Sequence, residues 1–173
     1  IPDHMSAITI PVAGGPDALT LARLPVPAPG PGEVLIRIAA AGINAADLGQ
    51  RRGNYDPPPG ASPHPGLEVS GEIAALGAGV KSWGVGDVVA ALSNGGGYAE
   101  YVAIPAGQVL PLPAGWDLAA GAALPETFFT VQQHLPMRAG LAPGMDVLIH
   151  GAAGGIGGAA IQIAKLYGAR PIA

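Results

Sequence analysis

Cysteine is absent from this sequence of 173 residues, which excludes disulfides and thiolate metal sites outright. Charge is scarce as well: Asp, Glu, Lys and Arg together make up 12% of the chain, and 8 Lys plus Arg against 12 Asp plus Glu leave a formal net charge of −4. With no cluster of Lys and Arg, nothing supports nucleic-acid binding. No apolar run approaches the roughly 18 residues a membrane helix needs, and nothing resembles a signal peptide. The expected setting is a reducing cytoplasm, with neither nucleic acid nor membrane as a partner.

What is abundant is apolar surface, at 49% of residues, together with 28 Gly and 19 Pro. The first suits a well-buried globular chain and argues against disorder. The glycines and prolines are spread between apolar runs without a repeat, so they read as turns in a strand-rich fold. The length fits one domain, or one domain and part of another. Residues 1–4 precede the first Met and read as an appended remnant outside the fold.

Taken in order, Ser6 to Val12 reads as a first strand and Leu19 to Leu24 follows a GGPDAL turn. Prolines 25, 27, 29 and 31 interrupt regular structure. Glu33 to Gly42 alternates as a half-buried strand, and Asn44 to Arg52 reads as a short helix capped by Asn44. Asp47 suits a local cap, or a partner for Arg51 one helical turn on. Tyr55 to Pro65 is a proline-rich irregular loop, the kind more often functional than idle. Gly66 to Leu76 reads as a strand bent at Gly71. Val88 to Leu92, Tyr98 to Ile104 and Val109 to Leu112 complete a set of short strands between Gly/Pro turns, the pattern of a barrel-like β domain. From Asp117 the pattern turns helical, with one helix over Asp117 to Ala123 and another from Pro125 to about Leu135.

Residues 146–173, DVLIHGAAGGIGGAAIQIAKLYGARPIA, carry the chemistry. Val147 to Ile149 is a buried strand. A glycine turn follows, then a helix whose apolar face is Ile156, Ala159, Ala160, Ile163, Ala164 and Tyr167. Gly168 closes that helix and Arg170 to Ala173 opens a second strand. Against the G-x-G-x-x-G dinucleotide fingerprint, Ala152 stands at the first position while Gly154 and Gly157 fill the second and third. The turn could seat a pyrophosphate on a helix N-terminus, or be a Gly/Ala-rich helix start packed closely on a sheet. One βαβ unit cannot cover both faces of a parallel sheet, so the parent chain is expected to continue beyond Ala173. The domain assignment is therefore residues 5–124 for the β-rich domain and 125–173 for the first part of a nucleotide-binding domain.

Several segments together, AAAGINAADLGQRRGNYDPPPGAS (39–62), PGLEVSGEI (65–73), GDVVAAL (86–92), LPETFFT (124–130) and VLIHGAAGGIGGAAIQIAK (147–165), carry a family likeness. The chain resembles the medium-chain dehydrogenase/reductase superfamily, and within it the zinc-free NAD(P)H quinone oxidoreductases of the p53-inducible and zeta-crystallin kind. The resemblance implies a GroES-like β-rich catalytic barrel followed by the start of an α/β Rossmann domain. Where zinc-dependent members carry a Cys ligand this chain has Asn44, and where they carry Gly-His-Glu it has Gly66, Leu67 and Glu68. Zinc needs three or four such ligands, so no metal is expected.

The implied reaction is reduction of a quinone or conjugated carbonyl by NADPH, with NADH as the alternative donor, in a parent homodimer. An electron-poor acceptor of that kind takes hydride without a Lewis acid. By matching positions, Asn44 and Thr130 would meet the nicotinamide end of the cofactor and Gly154, Gly155 and Ile156 its pyrophosphate. Tyr55 would line the acceptor pocket, with ring and hydroxyl toward a quinone, making Tyr55 and Asn44 the catalytic candidates. Plainer roles stand beside these: Asn44 as an N-cap, Thr130 bonded to its own helical turn, Tyr55 as packing, Glu68 as a paired structural carboxylate. His64, His134 and His150 share no metal-ligand spacing and read as structural or exposed. The alternatives to a quinone reductase are an enoyl or alkenal reductase, and a non-catalytic binding or structural fragment.

Overall fold

The computed structural model describes every residue from Ile1 to Ala173. The chain divides into two compact units, Ile1–Ala123 and Leu124–Ala173.

The first unit opens on an antiparallel hairpin, β1 (His4–Thr9) and β2 (Thr20–Pro25), running from His4 opposite Pro25 to Thr9 opposite Thr20. His4 is thus part of the fold, contrary to the sequence expectation. Its backbone completes the ladder, and the Asp3 carbonyl accepts the Val26 N–H at 3.0 Å. A five-stranded antiparallel sheet follows, built from β3 (Glu33–Ala41), β4 (Glu68–Leu76), β5 (Val88–Leu92), β6 (Tyr101–Pro105) and β7 (Val109–Pro111) in the order β6-β3-β4-β5-β7. Val34, Ile36, Val69, Ile73, Val89, Ala91, Val102, Ile104 and Val109 form its core. Leu35 is as deeply buried as its neighbours, so the start of β3 is covered on both faces and not half-buried as its alternation suggests.

Tyr98 to Glu100 lies outside β6. Ala99 bridges Ala7, and the Tyr98 carbonyl takes the Ile8 N–H at 2.8 Å. This short piece therefore serves the hairpin, and the ladder with β3 begins only at Tyr101.

Helix α1 (Ala45–Arg52) follows β3, and α2 (Leu118–Ala122) closes the unit with the Asp117 carboxylate accepting the Ala120 N–H at 2.7 Å. The register of β3 on β4 shifts between Ile38 and Ala40, opposite Gly71 and Ser70. The bend expected at Gly71 thus coincides with an irregularity. A β-carbon at Gly71 would collide with the Arg37 carbonyl oxygen, so the strands pack there only because the side chain is a hydrogen.

In the second unit α3 (Pro125–Gln132) runs into a π-helical turn over Gln133–Arg138 and does not stop near Leu135. Pro136 has no N–H to return to the preceding turn. The backbone widens instead, with the Ala139 N–H reaching the His134 carbonyl at 3.0 Å. Strand β8 (Asp146–Leu148), helix α4 (Gly155–Leu166) and strand β9 (Arg170–Ile172) form a βαβ unit, β8 and β9 being parallel neighbours. Val131, Ala159, Ala160 and Ile163 are its core. Asp146 and Arg170, opposite one another at the first register position, make a bidentate pair at 2.7 and 2.5 Å. The Arg170 hydrogen bonds and charge hold the Asp146 carboxyl below its usual range, though so exposed a pair adds little stability. No helix is long and apolar enough to cross a membrane.

Gly71→Ala is expected to cost about 2–3 kcal/mol by forcing strands apart, read as a lower urea midpoint. Gly107→Ala, where a β-carbon meets nothing within 4 Å, is expected to stay within about 0.5 kcal/mol of the parent. Equal losses in both would contradict the close-approach account.

Candidate functional site

The first unit brings its two buried carboxylates, Asp47 and Glu68, to the start of α1. Asn44 occupies the N-cap in extended conformation, φ −120° and ψ 160°, and Asp47, three residues on, reaches back so that its Oδ2 accepts the Asn44 N–H at 2.8 Å. This is the carboxylate half of a capping box. Asp47 is only 5% exposed, and its remaining lone pairs are used: Oδ2 also accepts the Tyr98 hydroxyl at 2.9 Å and Oδ1 the Gly66 N–H at 3.1 Å. Arg51 is not among these partners, and its Nε is buried without a hydrogen bond. The local-cap reading of Asp47 thus holds and the alternative Asp47–Arg51 pair does not form: the buried carboxylate is satisfied by three converging donors, two of them from distant segments.

Glu68 begins β4 and is 2% exposed, and its Oε1 accepts the Asn44 side-chain amide Nδ2 at 2.8 Å. The Asn44 side chain therefore does more than cap its helix, tying α1 to β4. Tyr98 feels both carboxylates. Burial, then the charge of Asp47 and its hydrogen bond, then the charge of Glu68 push the phenol well above the ordinary tyrosine range. It is a fixed hydrogen-bond donor and a poor acid.

Tyr55 lies in the loop after α1, 37% exposed, with its Cβ against the backbone of Gly49. Later loop residues, Gly60, Ser62 and His64 among them, line a cavity of about 360 Å3 with Met5, Leu24 and Tyr101. Tyr55 is not part of that lining.

In the second unit the turn after β8 leads directly into the N-terminus of α4. Gly154 caps α4 and donates its N–H to the Gly151 carbonyl at 3.0 Å. Intrahelical bonding starts with Gly158 N–H to Gly154 carbonyl at 2.8 Å, so the N–H groups of Gly155, Ile156 and Gly157 precede the first helical bond. A β-carbon on Gly157 would lie 2.5 Å from both the Gly151 oxygen and the Ala152 Cα, which is why the third fingerprint position is glycine. The left-handed residue of the turn is Gly151, at φ +67°. Ala152 keeps a negative φ and needs no glycine there, and that explains the imperfect fingerprint.

The Thr130 hydroxyl donates to the Glu126 carbonyl at 2.6 Å, the self-bonded arrangement, while the Thr130 carbonyl lies 2.7 Å from His134 Nδ1. Thr130 and Ile156 share an apolar groove of about 340 Å3 with Val147, Ile149 and Ala160. The structure thus brings Thr130 to the helix bearing the phosphate turn, and Asn44 to Glu68. The local cap foreseen for Asp47 is borne out in its bond from the Asn44 N–H, while its bonds from Gly66 and Tyr98, and the roles of Tyr98 and Gly151, were not foreseen. The glycines flanking them, Gly66, Gly95 to Gly97 and Gly154, were the available signal.

Tyr98→Phe is expected to flatten the alkaline loss of stability. The folded phenol titrates above its unfolded value, so its contribution is complete below the unfolded pKa and fades as pH rises toward the folded one. Denaturation midpoints followed from neutral pH upward should fall more steeply in the parent than in Tyr98→Phe. Identical slopes would contradict the buried Tyr98–Asp47 contact.

Residues 30–114 match the alcohol dehydrogenase GroES-like domain family. Over 160 residues the chain is 40% identical to a mouse (Mus musculus) protein named synaptic vesicle membrane protein VAT-1 homolog-like, covering 92% of this chain and 38% of the relative. It is 40% identical over 166 residues to a quinone oxidoreductase of Sus scrofa, covering 95% of this chain and 50% of the relative. The crystal structure of CurK enoyl reductase superposes with a TM-score of 0.87 at 32% identity, over 99% of this chain and 54% of that one. The chain therefore spans about half or less of the curated relatives it matches. With the β-rich unit, the βαβ unit and these matches together, the chain belongs to the medium-chain dehydrogenase/reductase superfamily and carries its GroES-like domain.

Proposed function

We propose that the protein is an NAD(P)H-dependent reductase that passes reducing equivalents to a quinone or related conjugated carbonyl without zinc, with NADPH the preferred donor. The observation that carries the reading is the 2.8 Å hydrogen bond from the Asn44 amide to the buried Glu68 carboxylate. In that arrangement an amide donor faces Glu68 where a zinc site needs a ligand, and no group of three His, Cys, Asp or Glu side chains gathers elsewhere. Chemistry that needs no Lewis acid suits such a site.

The second unit supports the cofactor assignment by itself. Its glycine turn offers the Gly155, Ile156 and Gly157 N–H groups and a helix N-terminus to a pyrophosphate. A reduced nicotinamide, when bound, supplies the hydride. The protein's residues bind, orient and exclude water, so that proximity provides the acceleration. Within the first unit Asn44 is assigned to the nicotinamide end of the cofactor and Tyr55 to the acceptor, and within the second unit Thr130 is assigned to the cofactor. Tyr98, its phenol pushed up by burial and then by the charge and hydrogen bond of Asp47, is a poor acid, so the proton that completes reduction of the acceptor is assigned to water. The same reading places the protein in the cytoplasm as a homodimer. Similarity to an enoyl reductase favours conjugated enones as the second acceptor class.

The test uses the full-length protein. NADPH is expected to quench Trp83 or Trp116 fluorescence, and quinone turnover is expected to survive prolonged dialysis against a chelator. Turnover lost with the chelator and restored by zinc would overturn the metal-free reading, and turnover of enones alone would replace the acceptor. Asn44→Ala is expected to lower kcat/KM for the quinone by roughly tenfold to a hundredfold, measured by NADPH oxidation.

A further inference from the structure

Asp47 gathers donors from three separate segments. Asn44 N–H comes from the first turn of α1, Gly66 N–H from the end of the proline loop, and the Tyr98 hydroxyl from the glycine turn before β6. Around it the loop end is latched to that glycine turn by backbone bonds: Ser62 N–H to Asn94 carbonyl at 3.2 Å, Gly96 N–H to His64 carbonyl at 2.8 Å, and Tyr98 N–H to Pro65 carbonyl at 3.1 Å. Gln50 Nε2 adds a bond to the Pro63 carbonyl at 2.9 Å. The other end of the loop, from Asn54 to Gly60, has only the local backbone bonds Asn54 N–H to Gly49 carbonyl and Ala61 N–H to Pro58 carbonyl. Tyr55 thus sits on a strap fastened firmly at one end, and Asp47 is the side chain at that fastening.

We infer that Asp47 is a positioning residue, one carboxylate that sets both the place of the Asn44 amide and the closing end of the Tyr55 loop. The inference rests on the reductase reading for its link to turnover. A carboxylate is required because all three neighbours are donors. An Asn at this position would turn an NH2 group toward at least one of them, leaving buried donors face to face. Asp47 acts through Asn44 and the loop and itself touches neither cofactor nor acceptor in this scheme.

The test compares the full-length parent with Asp47→Asn and Tyr98→Phe. The active fraction is counted by NADPH quenching, and amide hydrogen exchange is followed at Asn44 and Gly66. Asp47→Asn is expected to lower kcat per NADPH-binding site by about tenfold or more, with NADPH affinity within about twofold of the parent because the pyrophosphate turn is untouched. Exchange at Asn44 and Gly66 is expected to accelerate while β3 stays protected. Tyr98→Phe, losing one donor of three, is expected to fall between. An Asp47→Asn protein with parental kcat per site, or with parental exchange at Asn44 and Gly66, overturns the inference. Should Asp47→Asn fail to fold, parental kcat and acceptor KM in Tyr98→Phe overturn it. A parent that neither binds nor oxidises NADPH defeats the reductase reading instead, and the exchange data then decide the role of Asp47 alone.

Discussion

Burying a carboxylate is costly unless hydrogen bonds replace its water, and this chain buries two within the same small region. Glu68 receives the Asn44 amide and Asp47 receives two backbone N–H groups and a phenol. Much of the first unit's arrangement follows from meeting that requirement. Helix α1 must begin at Asn44 for its amide to reach β4, the proline loop must return at Gly66 to present an N–H, and the turn before β6 must place Tyr98 over Asp47. Each element is held by local propensity as well, but the carboxylates fix them against one another.

The two units meet different demands with different means. In the first, antiparallel strands with apolar alternation build a closed core, and the polar cluster lies where β3 gives way to α1 and where β4 begins. In the second, three consecutive elements bring a helix N-terminus to the end of a parallel strand, and close packing of Gly157 on Gly151 and Ala152 draws the backbone into a tight turn. The first arrangement fixes side-chain donors and acceptors. The second presents backbone N–H groups, whose direction depends on glycine at the close approach of Gly157 to Gly151 and Ala152.

Local chemistry was legible in the sequence wherever the controlling contact is local. Val88 to Leu92 reads as a strand from its own apolar run, and Asn44 reads as a cap from its place before AADLG. The βαβ turn is visible because glycine is dictated by backbone approach within a few residues. What could not be read depends on partners distant in the chain. Asp47 looks like a partner for Arg51 until Gly66 and Tyr98 are brought beside it. Tyr98 looks like a strand residue because the pairing of Ala99 with Ala7 is invisible to periodicity. His4 looks dispensable until β2 supplies its ladder. The helix from Pro125 reads as ending near Leu135, whereas the chain carries on through a widened π-helical turn in which Leu135 packs, with Leu141 beyond it, against the α3–α4 core.

The central claim is that the Asn44 amide satisfies the buried Glu68 carboxylate directly. A double-mutant cycle on stability between Asn44→Ala and Glu68→Ala measures that coupling. A hydrogen bond to a buried charge predicts an interaction energy of about 1.5–3 kcal/mol. Additive losses, within about 0.5 kcal/mol, would contradict it and leave Glu68 held by something other than Asn44.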